Sequence, residues 1–206
     1  MKLIGNWKLK IDNWTAGMTY VELIVVLGIF STMLSIAMFN HSKFQDKVSI
    51  KALANEIALR LVEAQKSAIS GKLQTVAFTT KPSYGVHFNL SSSNQDFIYF
   101  ADLNNNNQFS DPSFCPSPQT GGDECLEKIS LTRGNTVSDL DLFYTSGPST
   151  AHTSLTLTFT RPASDATIQS SPSPSGTIDY AQITVTSSSG LSANIKLYPS
   201  GRVQIN

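Results

Sequence analysis

The densest run of oxygen-bearing side chains in the chain is Asp102-Leu103-Asn104-Asn105-Asn106-Asn107-Gln108-Phe109-Ser110-Asp111. Asp102, Asn104 and Asn106 alternate as the first, third and fifth ligands of an EF-hand-type calcium loop do, where a curling backbone turns such residues toward one hard cation. With the backbone carbonyl of Gln108 and the carboxylate of Asp111 they make a candidate calcium set. Asn107 stands where Gly is usual, a substitution that left-handed backbone tolerates, and Ser113 stands where a bidentate Glu is expected. The same run also reads as an Asn-rich surface turn between two strands. Nearby, Cys115 and Cys125 are the only cysteines, ten residues apart in a loop rich in Pro and Gly. An oxidising compartment pairs them, at a gain of about 3 kcal/mol or less; a reducing one leaves two thiols. The histidines, His41, His87 and His152, are scattered, and His87 alternates within an apolar strand as a structural histidine does. No phosphate loop, zinc spacing or nucleophile elbow occurs, so the sequence points away from an enzyme.

Glu22 is the other residue whose chemistry stands out, because it heads a long apolar run. From Leu23 to Ser42 twenty residues pass without a charge, enough for a helix to cross a bilayer. A carboxylate at the head of such a helix costs a few kcal/mol unless it finds a cation or water, although the helix dipole favours a negative charge there. The apolar run is too long for an ordinary secretory signal, and the small residues Ala16-Gly17 lie in front of it rather than behind. Cutting between Gly17 and Met18 would keep the helix and create an amino group on Met18, a partner for the Glu22 of a neighbouring copy. Lys2, Lys8 and Lys10 precede the run, which orients the N-terminus to the cytoplasm and the bulk of the chain across the membrane.

The segment Gly17-Met18-Thr19-Tyr20-Val21-Glu22-Leu23-Ile24-Val25-Val26-Leu27-Gly28-Ile29 resembles the processing and assembly motif of type IV prepilins and pseudopilins, with Met18 in place of the usual Phe and Tyr20 in place of the usual Leu. The resemblance implies a leader, residues 1–17, removed by a prepilin peptidase, methylation of Met18, and assembly through Glu22 into a helical filament with other pilin subunits. An inner-membrane assembly platform and membrane lipid are the further partners it implies.

Between Lys43 and Ser70 there is neither Gly nor Pro, and Ile50, Leu53, Ile57, Leu61, Ala64 and Ala68 recur at helical spacing. Gly71 is a natural stop. The pattern predicts one helix over residues 18–71, membrane-spanning at 18–41 and amphipathic at 42–71. Residues 72–206 read as strands: Gln74 to Thr79, Tyr84 to Asn89, Asp96 to Ala101, Lys128 to Thr132, Leu140 to Thr145, Ser154 to Thr160, Ala181 to Thr186, Ala193 to Tyr198 and Arg202 to Ile205. Gln169 to Gly176, rich in Ser and Pro, reads as a turn. The expected fold is therefore α+β, with the long N-terminal helix packed on an antiparallel β-sheet head. Tyr84-Gly85-Val86-His87-Phe88 and the closing Ile195-Lys196-Leu197-Tyr198-Pro199-Ser200-Gly201-Arg202-Val203 add a broader resemblance to the minor pilin and pseudopilin branch of that family.

Charge narrows the partners. The whole chain is neutral, with 15 basic and 15 acidic residues, and residues 72–206 carry seven basic against ten acidic side chains, a net charge of −3. That disfavours bulk DNA binding by the head, with Lys196 and Arg202 as the one small basic pair near the C-terminus. The expected function is a structural subunit, a minor pilin of a type IV pilus-like filament. Alternatives are a pseudopilin of a type II secretion system and a monomeric membrane-tethered binding module for DNA uptake or adhesion. The expected location is a single-pass membrane protein with an extracytoplasmic head, extracellular once assembled.

Overall fold

The computed structural model of the chain describes residues 17–72, 81–110, 115 and 124–206, with the backbone alone at 39–43. The strand expected at Gln74 to Thr79 lies outside the described residues.

One α-helix, α1, runs Tyr20–Ser70. Thr19 caps it: its Oγ1 accepts the backbone N–H of Glu22 at 3.3 Å, filling one of the donors a helix start leaves unpaired. The end is a Schellman turn, in which Gly71 N–H reaches Ala68 O and Lys72 N–H reaches Ser67 O. Gly71 takes φ +60° there, which glycine adopts without a Cβ penalty. Two compact units divide the chain, residues 1–42 and 43–206. In the first, every side chain described from Tyr20 to Met38 is exposed, and this stretch is long and apolar enough to cross a membrane. Two of its hydroxyls are nevertheless satisfied internally, Thr32 on Ile29 O and Ser35 on Ser31 O, so these groups need no partner outside the helix.

In the second unit the predicted apolar stripe of α1 is the buried one: Ile50, Leu53, Ile57, Leu61, Ala64 and Ala68 are all at or below 6% exposure. They join a single apolar cluster with residues of eight of the ten strands among the described residues, and the ten are arranged as two antiparallel five-stranded sheets rather than as one. The first has the order β3-β2-β1-β6-β7, from β1 (Ser83–Asn89), β2 (Ser93–Asp102), β3 (Cys125–Ser130), β6 (Ser154–Phe159) and β7 (Ala166–Ser171). The second has the order β10-β9-β8-β4-β5, from β4 (Thr136–Tyr144), β5 (Thr150–Ala151), β8 (Ile178–Thr186), β9 (Ser192–Leu197) and β10 (Val203–Ile205). Alternation puts Tyr84, Val86, Phe88, Leu155, Leu157 and Phe159 in the core from the first sheet. Leu140, Leu142, Ile183, Val185, Ile195 and Leu197 enter it from the second. Polar ties hold α1 to the strands: Tyr99 Oη on Ser67 Oγ at 3.1 Å, and Arg60 bridging Glu63 and Glu127 at 3.0 Å each. Burial pushes the Tyr99 hydroxyl up to about 12.

Two strands depart from the sequence expectation. The short β5 was not anticipated, and Gln169, Ser170 and Ser171, expected in a turn, end strand β7. Pairing explains the second, because β7 runs alongside the strongly patterned β6 in register, Leu157 opposite Ile168. It explains the first as well, since the two residues of β5 are held against Asp141 and Leu142 of β4.

Candidate functional site

Two arrangements on the second unit bring chemically capable side chains together. The first lies on the face of the first sheet that looks away from α1. Its foundation is Gly85, whose missing side chain leaves room for the ring of Phe100: a Cβ built there would meet Phe100 Cε1 at 2.7 Å and Leu157 O at 2.6 Å. Phe100 is fully buried although it points away from the helix, since the segment after β2 folds back over it. Phe109 from that segment packs on Phe100 (ring centroids 5.3 Å) and on His87 (5.1 Å). His87 Nδ1 lies 2.8 Å from Thr156 Oγ1 on β6. Gln169 Nε2 on β7 donates to Asn106 O at 3.5 Å and Thr160 donates to Asn107 Oδ1 at 3.4 Å, which completes the attachment.

Segment 103–110 holds its shape through two buried carboxylates. Asp102 accepts the N–H groups of Asn106 (3.2 Å) and Asn107 (2.8 Å). Glu124, just before β3, accepts those of Leu103 (3.3 Å) and Ser110 (2.8 Å). Burial raises both carboxyls above their ordinary range, and for Glu124 the neighbouring charge of Asp102 adds to it. Asn104 and Asn106 also turn their oxygens to backbone N–H groups, of Asn106 (3.0 Å) and Gln108 (2.7 Å). Asn105 and Asn107 adopt φ of +58° and +57°, the left-handed backbone anticipated for Asn107.

The structure therefore collects Asp102, Asn104, Asn106 and Gln108 of the candidate calcium set in one turn; Asp111 and Ser113 lie outside the described residues. The donor type suits a hard cation, but the hydrogen bonds already account for the side-chain oxygens as caps of an Asn-rich turn. Among the described residues, no group of three or more His, Cys, Asp or Glu side chains gathers at one point. Cys115 and Cys125 are joined in a disulfide, Cα atoms 5.5 Å apart, which anchors the chain beside Glu124.

The second arrangement is a strip on the outer face of the second sheet. Phe143 and Tyr180 stack at 4.5 Å, Tyr180 and Tyr198 meet at 5.5 Å, Lys196 Nζ sits 4.6 Å above Tyr180, and Arg202 lies 3.9 Å from the centroid of Tyr198. Lys196 and Arg202, the basic pair noted in the sequence, thus sit on aromatic rings as cation–π partners.

The other sequence candidates are dispersed. Gly17 and Met18 precede α1, and Glu22 is exposed in its first turn. His152 is buried and fully engaged, with Nε2 2.7 Å from Thr150 Oγ1 and Nδ1 2.9 Å from Pro172 O. His41 lies among the residues whose side chains are not described. Sequence reasoning missed Glu124, Phe109 and Gln169. The signal for Phe109 was a single aromatic in an otherwise polar stretch; Glu124 and Gln169 are brought in by strands that are distant in sequence. Comparison of the chain with family models, with curated proteins and with solved structures gave no match.

Proposed function

We propose that the chain is a prepilin-like structural subunit, cleaved after Gly17, methylated at Met18 and polymerised through its N-terminal helix as a minor pilin of a type IV pilus-like filament. The observation that carries this reading is the first half of α1: an uncharged surface from Leu23 to Met38, none of it buried within the chain, headed by one carboxylate and a Gly-Met junction. Such a surface needs lipid before assembly and partner helices after it. Glu22 then needs a cation inside that apolar contact, which the Met18 amino group of a neighbouring subunit supplies. The disulfide in the second unit agrees with export to an oxidising compartment. A pseudopilin of a type II secretion system uses the same physics and differs in the machinery that assembles it.

The experiment joins mass spectrometry of the mature N-terminus with mechanical shearing of cells. The chain should begin at Met18, and should move to the sheared filament fraction. Glu22→Val should still insert in the membrane but lose recruitment into filaments. A chain starting at Met1, or normal recruitment of Glu22→Val, overturns the reading.

A second reading, a monomeric membrane-tethered binding module, is favoured by the Phe143-Tyr180-Tyr198 strip with its two cations, a surface on which bases could stack. In that case the chain stays with the membrane on shearing.

A further inference from the structure

We infer that the outer face of the first sheet is a binding site for neutral glycans, with Phe109 as the platform between two adjacent sugar positions. The inference does not depend on filament assembly. Two open clefts flank the Phe109 ring and share His87 at their base. One, of about 210 Å³, is bordered by Asn89, Ser92, Asp96 and Ile98. The other, of about 240 Å³, is bordered by Gln108, Thr156, Gln169 and Ser170.

The chemistry of the borders selects the ligand. Asn89 Oδ1, Gln169 Nε2 and the hydroxyls of Ser92, Thr156 and Ser170 are each engaged within the protein. This leaves the Asn89 amide nitrogen, the Gln108 amide, Gln169 Oε1 and the hydroxyl oxygens to donate and accept together, the pattern that matches a ring of hydroxyl groups. Among the described residues the one carboxylate bordering the clefts is Asp96, held by Lys128 at 2.9 Å. Among the described residues neither Lys nor Arg lines either cleft, and Lys128 beside the first is already paired with Asp96, so an anion finds no free countercharge and a cation finds only a carboxylate already paired. An apolar ligand would strip water from the Gln108 amide, the Asn89 amide nitrogen and Gln169 Oε1 without replacing it. A sugar ring satisfies both needs, laying its C–H face on an aromatic ring and its hydroxyls on the rim.

Phe109 is suited to this role because it is half-buried: its underside is fixed by Phe100 and His87, and part of the ring stays open to solvent. The ring is therefore positioned before a ligand arrives, which lowers the ordering cost of binding. Since the clefts share Phe109 and His87, two linked sugar units can occupy them together. The second unit then binds intramolecularly, so an oligosaccharide gains over its monomer.

The test uses the full-length chain in lipid nanodiscs, which avoid detergents with sugar headgroups. Saturation-transfer NMR is run with maltotetraose, cellotetraose and chitotetraose, and with glucose and N-acetylglucosamine. At least one tetrasaccharide should receive saturation at millimolar concentration and bind at least about tenfold more tightly than its monomer. Phe109→Ala should abolish the signal. Ser170→Trp, which fills the second cleft and leaves the Phe100-Phe109-His87 packing intact, should reduce tetrasaccharide binding to the monomer's level. Ser188→Trp, the same substitution in an exposed turn of the other sheet, should leave binding unchanged. Absence of saturation for all three tetrasaccharides, or undiminished binding in Phe109→Ala or Ser170→Trp, overturns the proposal.

Discussion

Adding one methyl group at Gly85 tests the construction of the first sheet. β1 is hydrogen-bonded on both sides, with Gly85 opposite Phe100 of β2 and Thr158 of β6, so the strand cannot slide away from an added atom. In Gly85→Ala the new Cβ would stand 2.6 Å from the carbonyl oxygen of Leu157 and 2.7 Å from the Phe100 ring, well inside van der Waals contact. Phe100 is itself fully buried and must move into Phe109 to make room. Overpacking of this kind costs about 1–3 kcal/mol, of which the lower chain entropy of unfolded Ala returns only ~0.4–1 kcal/mol. For a unit of this size each kcal/mol moves the melting temperature by about 2–4 °C, so the expected fall is several degrees. Circular-dichroism melting of the full chain reads it, beside Gly176→Ala, whose Cβ would meet the Tyr144 ring at an ordinary 3.5 Å and should stay within about 0.5 kcal/mol of the parent. Gly85→Ala with Phe100→Leu should lose less than the two single changes together, because they share one clash. A Gly85→Ala chain that melts with the Gly176→Ala control would refute the account of why glycine sits here.

Acid should stabilise the turn. Asp102 and Glu124 have raised pKa values, chiefly from burial, so the folded state holds their protons more tightly than the unfolded chain. Stability from this source is full below the ordinary carboxylate range and lost as pH rises through the raised values. Melting should therefore occur at a higher temperature at pH ~5 than at pH ~7, and Glu124→Gln should flatten the difference; an equal slope in the variant would dismiss the assignment. Replacing Cys115 and Cys125 by Ser together should cost about 3 kcal/mol or less, and denaturant titration should find the loss in the midpoint. A loss well above that would mean that the bridge does more than close a short loop.

How much of this was legible in the sequence depends on how local each cause is. The buried stripe of α1 was readable residue by residue, because a helix writes its burial at a period set by its own geometry. β1, β6 and β8 were readable for the same reason, through alternation. The outer face of the first sheet was not. Phe100 alternates away from the helix and so reads as exposed, yet it is buried by a segment whose path is set by backbone N–H groups meeting Asp102 and Glu124, residues 22 positions apart. Asn104 and Asn106 were visible as oxygens at alternate positions, but their spacing alone does not distinguish ligands of a cation from caps of a backbone. β7 was hidden because its Gln-Ser-Ser end has turn composition and strand pairing, and the pairing prevailed.

His152 directly follows the short strand β5 of one sheet while its ring reaches Pro172, just after β7 of the other. Its backbone N–H holds Leu140 O, and the next residue, Thr153, holds Ser171 O. Two outermost strands, which would otherwise fray independently, are therefore tied to one another through four consecutive residues, 150–153. A stray strand seeking an unpaired row of backbone groups meets at this corner a closed seam, and loosening it means opening both sheets at once.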